Sequence, residues 1–325
     1  MAENNLISAD KIDVIEQSIQ DISPDLLEIL LRDKTTKKFI RWGSDNYIAY
    51  GPEYHTDQEI TPKLITGSYT DIIQPRVAKP EEQRTKRTRD NAEVFTPSWV
   101  CNEQNNLVDA AWFGRHNVFN VAGDKSWQAV PDPISFPRDK IWKDYVNARR
   151  LEVSCGEAPY LVSRYDTVTG QPIPIPERIG LLDRKLRVVG ENAANDKEWF
   201  DWAIRAFQSV YGYDFQGDNV LLARENLLYT FVEYVENRTG ERPTLLQMKK
   251  IANIISWNIW QMNGLTMTAP FSLAEPEYKQ TSFFDLLGMD GEGEEQEEQT
   301  DEIPCKIFDW RSNESIEFRS MINEG

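Results

Sequence analysis

The stretch LEVSCGEAPYLVSRYD, from Leu151 to Asp166, places a Cys-Gly pair between two apolar runs. Its first five residues are typical of a short strand, and Gly156 directly after them favours a turn at the carboxyl end of that strand. In a doubly wound α/β sheet, ligands bind at such ends because a small residue there lets backbone amides approach them. A competing interpretation makes Cys155 a nucleophile.

The composition excludes several classes of protein. The chain has 325 residues, of which 40% are hydrophobic, so a large core can form. No apolar run is long enough to span a membrane, and the first residues lack the features of a secretory leader, so a cytoplasmic location is expected. Three widely spaced cysteines and two histidines predict neither a disulfide framework nor a zinc site, and they disfavour hydrolase chemistry that needs a histidine base.

Charge is distributed unevenly along the chain. The net charge of -17 argues against a protein that coats nucleic acid by itself. The segment DGEGEEQEEQTDE, 290–302, contains no basic residue and is expected to be a disordered linker. One basic cluster, QPRVAKPEEQRTKRTRD, supplies candidate contacts to DNA phosphates, although a merely solvated helix or linker is equally well supported. These candidates are Arg84, Lys86, Arg87 and Arg89.

The order of predicted elements indicates a parallel α/β sheet. After LEVSC come a helix in DKEWFDWAIRAFQSV, a strand in VYGYD and a helix in DNVLLARENLLYTFVEYVENRTG, which Gly240 ends. VYGYD finishes on Asp214, the position where such folds commonly hold both ribose hydroxyls of a nucleotide. Upstream, a Thr-Pro turn precedes an amphipathic helix, and CKIFDWRSNESIEF near the C-terminus predicts a hairpin.

Four segments together resemble the gamma-class DNA adenine methyltransferases of restriction-modification systems. They are EVFTP (93–97), EVSCGEAPYL (152–161), VYGYDFQGDNVLLARENLL (210–228) and NIWQMNGL (258–265), so the similarity covers about 92–265. The resemblance implies that S-adenosylmethionine is the cofactor and that Cys155 belongs to a turn. The residues implied to bind the cofactor are Phe95, Thr96, Pro97, Glu152, Gly156, Asp214 and Asn263.

Two residues depart from the family pattern. Ala158 stands where a second glycine is usual, so a positive φ there would cost roughly 1 kcal/mol. Asn263 stands where an aspartate is usual; its carbonyl can still accept a bond from the adenine amine, but the charge is lost. Weakened cofactor binding is expected from both changes.

The family's catalytic Asn/Asp/Ser-Pro-Pro-aromatic motif is absent from this sequence. Its carbonyl groups accept the hydrogens of the target amine, and its aromatic ring stacks on the flipped adenine. The nearest approximation is TAPF, 268–271, and the sequence ends about where the strand before that motif is expected. The resemblance therefore implies a methyltransferase split over two polypeptides, in which the partner supplies the Pro-Pro motif and the target-recognition domain. Double-stranded DNA would bind to the complex.

Other functional interpretations remain open from the sequence. The same absence is compatible with a catalytically inactive methyltransferase-like scaffold that binds protein or DNA. A nuclease subunit has only Glu277-Tyr278-Lys279 in its favour, a tripeptide that is common by chance. Trp257 and Trp260 could stack on a base, but their neighbouring isoleucines favour a core or interface position.

The predicted fold is α/β, a Rossmann-like methyltransferase half-domain. A small α+β region (1–75) contains the strand-like runs KKFIRW and NYIAYG, and a basic linker (76–91) follows it. The cofactor-binding domain (92–283) comes next, and an acidic linker (284–304) and a hairpin (305–325) follow that domain.

Overall fold

The computed structural model describes residues 15–91, 96–273 and 302–322, which form a mixed α/β structure. In these ranges no helix combines the length and the apolar character needed to cross a membrane. The helices are α1 Glu16–Ile22, α2 Pro24–Leu31, α3 Pro62–Ile65, α4 Glu81–Asn91, α5 Ser98–Phe113, α6 Trp142–Asn147, α7 Leu181–Asn192, α8 Asp196–Phe207, α9 Gly217–Thr239, α10 Leu245–Asn258 and α11 Phe318–Ile322. The strands are β1 Asn120–Gly123, β2 Ser126–Ala129, β3 Arg150–Val153, β4 Val210–Asp214, β5 Ile259–Gln261, β6 Thr268–Leu273, β7 Glu302–Pro304, β8 Lys306–Asp309 and β9 Glu314–Glu317.

A parallel sheet of three strands positions the candidate site. Its order is β3-β4-β5, with Glu152 opposite Gly212 and Asp214 opposite Gln261. Helices α7 and α8 connect β3 to β4, and α9 and α10 connect β4 to β5. The predicted strands LEVSC and VYGYD and the alternation of strands and helices are thus confirmed. All three carboxyl ends lie at one edge, as parallel pairing requires.

Local sequence explains where the long helices begin and end. Helix α8 begins after Asn195, whose side chain accepts a hydrogen bond from the Glu198 amide, and α10 begins with a capping box formed by Thr244 and Gln247. Helix α9 ends, as predicted, at Gly240, which adopts the left-handed conformation with a φ of 74°.

The N-terminal region contains less strand than predicted. Within KKFIRW, only the isolated bridges of Phe39 to Arg32 and of Arg41 to Glu59 form. The NYIAYG stretch is not a strand, since Ile48–Tyr50 is a 3-10 helix. Gly51 follows with a φ of 140°, which breaks any extended run at this point. The range expected to be a basic linker includes helix α4.

The C-terminal segment covers one face of the parallel sheet. The predicted hairpin is confirmed, with Asp309 opposite Glu314 in the β8–β9 pair. It shares a second small core with the sheet, and Trp260 is buried there as its apolar neighbours suggested. This core contains Tyr211, Tyr213, Trp260, Met262, Ala269, Cys305, Ile307 and Phe318. The acidic segment 290–302 lies outside the described residues except for Glu302 at the start of β7.

Candidate functional site

The Cys-Gly turn and the acidic end of the next strand meet at the carboxyl edge of the sheet. The amide of Gly156 donates a hydrogen bond of 2.9 Å to Asp214 Oδ2, and the amide of Gln216 donates one of 2.9 Å to Asp214 Oδ1. Burial raises the pKa of Asp214 to about 6. Two residues that the sequence analysis assigned to one cofactor site are therefore in direct contact.

The backbone of the turn is held in an uncommon conformation. Ser154, Gly156 and Ala158 all have positive φ angles, of 50°, 53° and 62°. The sequence analysis considered a positive φ at Ala158, and the structure confirms it. This backbone conformation costs roughly 1 kcal/mol more for alanine than for glycine. The turn is closed by a 2.7 Å hydrogen bond from the Ala158 amide to the Cys155 carbonyl.

Glu152 stabilises the loop that follows this turn. Its carboxylate accepts hydrogen bonds from the amides of Tyr160 and Leu161, at 3.3 and 3.2 Å. The side chain is buried, and burial raises its pKa to about 8. Glu152 therefore bonds to its own loop in this structure.

Cys155 has a structural environment. It is buried against Gly212, where an added Cβ would lie 3.2 Å from the Cys155 Cβ. Burial raises the pKa of its thiol well above the ordinary value, which suppresses the thiolate needed for nucleophilic attack. The interpretation of Cys155 as part of the turn fits this environment.

The Thr-Pro segment packs on the same loop. The carbonyl of Thr96 accepts a 2.9 Å hydrogen bond from the Thr167 hydroxyl, and the Ser98 amide donates to Asp166 Oδ2 at 3.3 Å. Pro97 forms the N-cap of α5. Phe95, the third residue predicted in this segment, lies outside the described residues.

Asn263 lies at the same edge but bonds within its own turn. The Met262 amide donates to the Asp214 carbonyl at 2.9 Å, which brings Asn263 close to the ends of β4 and β5. Its Oδ1 accepts a 3.0 Å bond from the Leu265 amide. The carbonyl expected to receive an adenine amine is thus partly occupied by the local backbone.

Two exposed phenylalanines stand beside Asp214. Phe215 follows Asp214 directly in the sequence. The ring centroids of Phe215 and Phe271 are 5.8 Å apart. Both rings are about two-fifths exposed, at 37% and 42%. Phe271 belongs to TAPF, which forms part of β6. Sequence reasoning did not identify this aromatic pair as a site feature.

The N-terminal region contributes to the edge in a way that the sequence did not reveal. Gln261 Nε2 donates to the carbonyls of Arg41 and Phe215, at 2.8 and 2.7 Å. The approach is close enough that a Cβ added to Gly217 would lie 1.9 Å from the Arg41 carbonyl oxygen. Gly217 is therefore needed where the N-terminal chain crosses the start of α9.

Arg87 is not placed as a phosphate contact. It is buried, and its Nη2 lies 2.7 Å from Asp218 Oδ2. The hydroxyl of Tyr47 donates to the same oxygen at 2.7 Å, and Lys79 Nζ lies 3.9 Å from it. Burial alone would raise the pKa of Asp218, but Arg87 and Lys79 outweigh it and lower that pKa.

The other predicted phosphate contacts also belong to helix α4. Arg89 is exposed, Arg84 is half-buried, and the side chain of Lys86 lies outside the described part of the chain. A cavity of about 460 Å³ is lined by Arg76, Glu81, Arg84, Thr85, Thr88 and Arg89. Its cationic and hydroxyl-bearing wall is compatible with a phosphate group.

Neither a metal site nor a comparison with known proteins adds information about the function. Within residues 15–91, 96–273 and 302–322, no group of three or more histidine, cysteine, aspartate or glutamate side chains could hold a metal ion. The Glu277-Tyr278-Lys279 tripeptide lies outside these ranges. No family model, curated protein or solved structure matches the chain.

Proposed function

We propose that this chain is the S-adenosylmethionine-binding subunit of a split DNA adenine-N6 methyltransferase from a restriction-modification system. The observation that supports it best is the 2.9 Å hydrogen bond from Gly156 to Asp214, which joins two motif residues at the carboxyl ends of adjacent parallel strands. Ligands of open α/β sheets bind at this edge. Asn263 is close to the same edge through the bond of Met262 to Asp214, and the Thr-Pro segment contacts the loop that follows the Gly156 turn.

The donor and acceptor groups present fit such a cofactor. The Asp214 carboxylate accepts the Gly156 and Gln216 amides and a hydrogen bond from the Asn219 side chain, and it has lone pairs left that can accept a ribose hydroxyl. Phe215 and Phe271 offer an apolar surface to a flat purine ring. When bound, S-adenosylmethionine supplies the methyl group; the chain's own residues bind and orient it.

The amine-activating groups must come from elsewhere in this proposal. The sequence contains no Pro-Pro pair, and Phe271 of TAPF packs on Phe215 beside Asp214. A partner polypeptide would therefore supply the Pro-Pro motif and the target-recognition domain. Since the net charge is -17, that partner would also provide most of the DNA-binding surface, with Arg84 and Arg89 as peripheral contacts.

Asp214→Ala is expected to weaken S-adenosylmethionine binding by at least about 100-fold. The substitution removes charge-assisted hydrogen bonds worth roughly 1.5–3 kcal/mol each. Isothermal titration calorimetry of the purified chain measures the affinity. Asp201→Ala, on the exposed surface of α8, is the matched control and should bind like the wild type.

Loss of the Gly156 hydrogen bond could also disturb folding, so thermal unfolding of Asp214→Ala is measured in parallel. A folded variant that binds as tightly as the wild type would refute the assigned role of Asp214. If the wild type itself does not bind, the proposal fails in favour of a second candidate, the inactive scaffold. One observation favours that candidate: backbone amides already occupy the Glu152 and Asp214 carboxylates.

The chain alone is expected to transfer no methyl group to duplex DNA, because it lacks the Pro-Pro motif that accepts the hydrogens of the amine. The measurement is incorporation of tritium from labelled S-adenosylmethionine into DNA that carries all common adenine contexts. A complete adenine methyltransferase in the same assay is the positive control. Incorporation by the purified chain would exclude the split arrangement.

A further inference from the structure

Strand β3 has one open edge. No strand other than β4 pairs with it in the described part of the chain. The Arg150 amide donates to the Ser209 carbonyl at 2.9 Å, so Arg150 and Glu152 direct their backbone groups toward β4. Alternate residues of a strand point their backbone groups in opposite directions. The amides and carbonyls of Leu151 and Val153 therefore face the open edge.

The same two residues expose their side chains. Leu151 is 46% exposed and Val153 is 60% exposed, whereas their opposite neighbours Tyr211 and Tyr213 are buried. Those tyrosines belong to the small core beneath the C-terminal hairpin. The apolar layer on this face thus stops at β3. Neither Leu151 nor Val153 provides the lysine or proline that commonly protects an edge strand.

We infer that a β-strand of the partner polypeptide pairs with the open edge of β3 and covers Leu151 and Val153. This inference rests on the proposed function, which requires a partner. The strand order β3-β4-β5 runs in one direction only. From β3 onward, each later strand is added on the same side of the sheet. A strand added on the other side of β3 would make β3 the point where the direction of strand addition reverses, and ligands of open α/β sheets bind at such points. The partner strand would then border the crevice beside Gly156 without contributing to the cofactor contacts of this chain.

The charge of the chain argues against a second copy as the occupant. Two copies would each carry a net charge of -17, and their mutual repulsion opposes association. A basic polypeptide is attracted by the same charge. Charge complementarity therefore favours a different chain as the occupant, with alternating apolar residues in its pairing strand and a basic surface overall.

Site-specific photo-crosslinking tests this inference. The photoreactive residue p-benzoylphenylalanine replaces Leu151 in the full chain, which is expressed in the cells that naturally carry it. Expected is one crosslinked product, whose partner contains an Asn/Asp/Ser-Pro-Pro-aromatic motif and whose attachment site lies in a predicted strand. The same residue in place of Leu246, an exposed leucine on α10, is the control and should give no such product.

Three outcomes would overturn the inference. They are a product with twice the mass of the chain, a partner without that motif, and no product specific to Leu151. A second variant separates this interface from the cofactor site. Leu151→Lys should bind S-adenosylmethionine like the wild type but lower methyl transfer by the crosslinked partner's complex at least tenfold. Failure of the wild-type chain to bind S-adenosylmethionine would instead count against the proposed function.

Discussion

Arg87→Met is expected to lower the free energy of unfolding by about 3 kcal/mol, although Arg87 belongs to a sequence cluster that resembles a solvated basic surface. Removal of one member of a buried ion pair leaves the other charge uncompensated, which typically costs about 3–5 kcal/mol. Here Asp218 retains the Tyr47 hydroxyl at 2.7 Å and Lys79 at 3.9 Å, so the lower end of that range is expected. Equilibrium urea unfolding measures the change.

Arg89→Met on the same helix is the matched control for Arg87. Because Arg89 is exposed, its replacement should change the free energy of unfolding by less than about 1 kcal/mol. Asp218→Asn in the Arg87→Met background should recover part of the loss, since it removes the uncompensated charge. Equal effects of Arg87→Met and Arg89→Met would show that the buried pair does not hold α4 against the start of α9.

Local patterns were sufficient for the elements that define the sheet. VYGYD and LEVSC have apolar β-forming residues followed by an acid or a turn, and both form strands. Helix α9 could be predicted to its last residue because Gly240 is both the end of the apolar pattern and the left-handed cap. The contact of Gly156 with Asp214 followed from topology, since parallel strands place their carboxyl ends together.

Long-range contacts explain what the sequence did not reveal. Helix α7 escaped prediction because its buried side includes charged residues: Arg184 pairs with Asp109, and Lys185 donates to the Val146 carbonyl. A pattern of apolar residues cannot show such a helix. Likewise, the residues around Arg87 in the sequence do not show whether its side chain faces water or pairs with Asp218. The bonds of Gln261 to Arg41 join residues 220 positions apart.

Glu152 is expected to make the free energy of unfolding fall as the pH rises from about 6 to about 8. The pKa of Glu152 is about 8 in the folded chain, raised by burial from an ordinary value of 4.5. Since the folded state binds this proton more tightly than the unfolded state, its contribution is fully present below pH 4.5. It is lost as the pH rises through 8. Asp214, with a pKa of about 6, acts in the same direction but at lower pH.

Glu152→Gln should abolish the decline between pH 6 and 8, because an amide cannot ionise. The expected difference is roughly 2 kcal/mol over that window, because one proton contributes at most about 1.4 kcal/mol per pH unit and the loop can relax around the charge. Urea unfolding at half-unit pH intervals measures it, with Glu241→Gln on the exposed surface as control. Parallel curves for the wild type and Glu152→Gln would mean that the carboxyl group is ionised in the folded chain at neutral pH. A slope that only Glu152→Gln removes would place a proton on Glu152 beside the Gly156 turn in the folded chain.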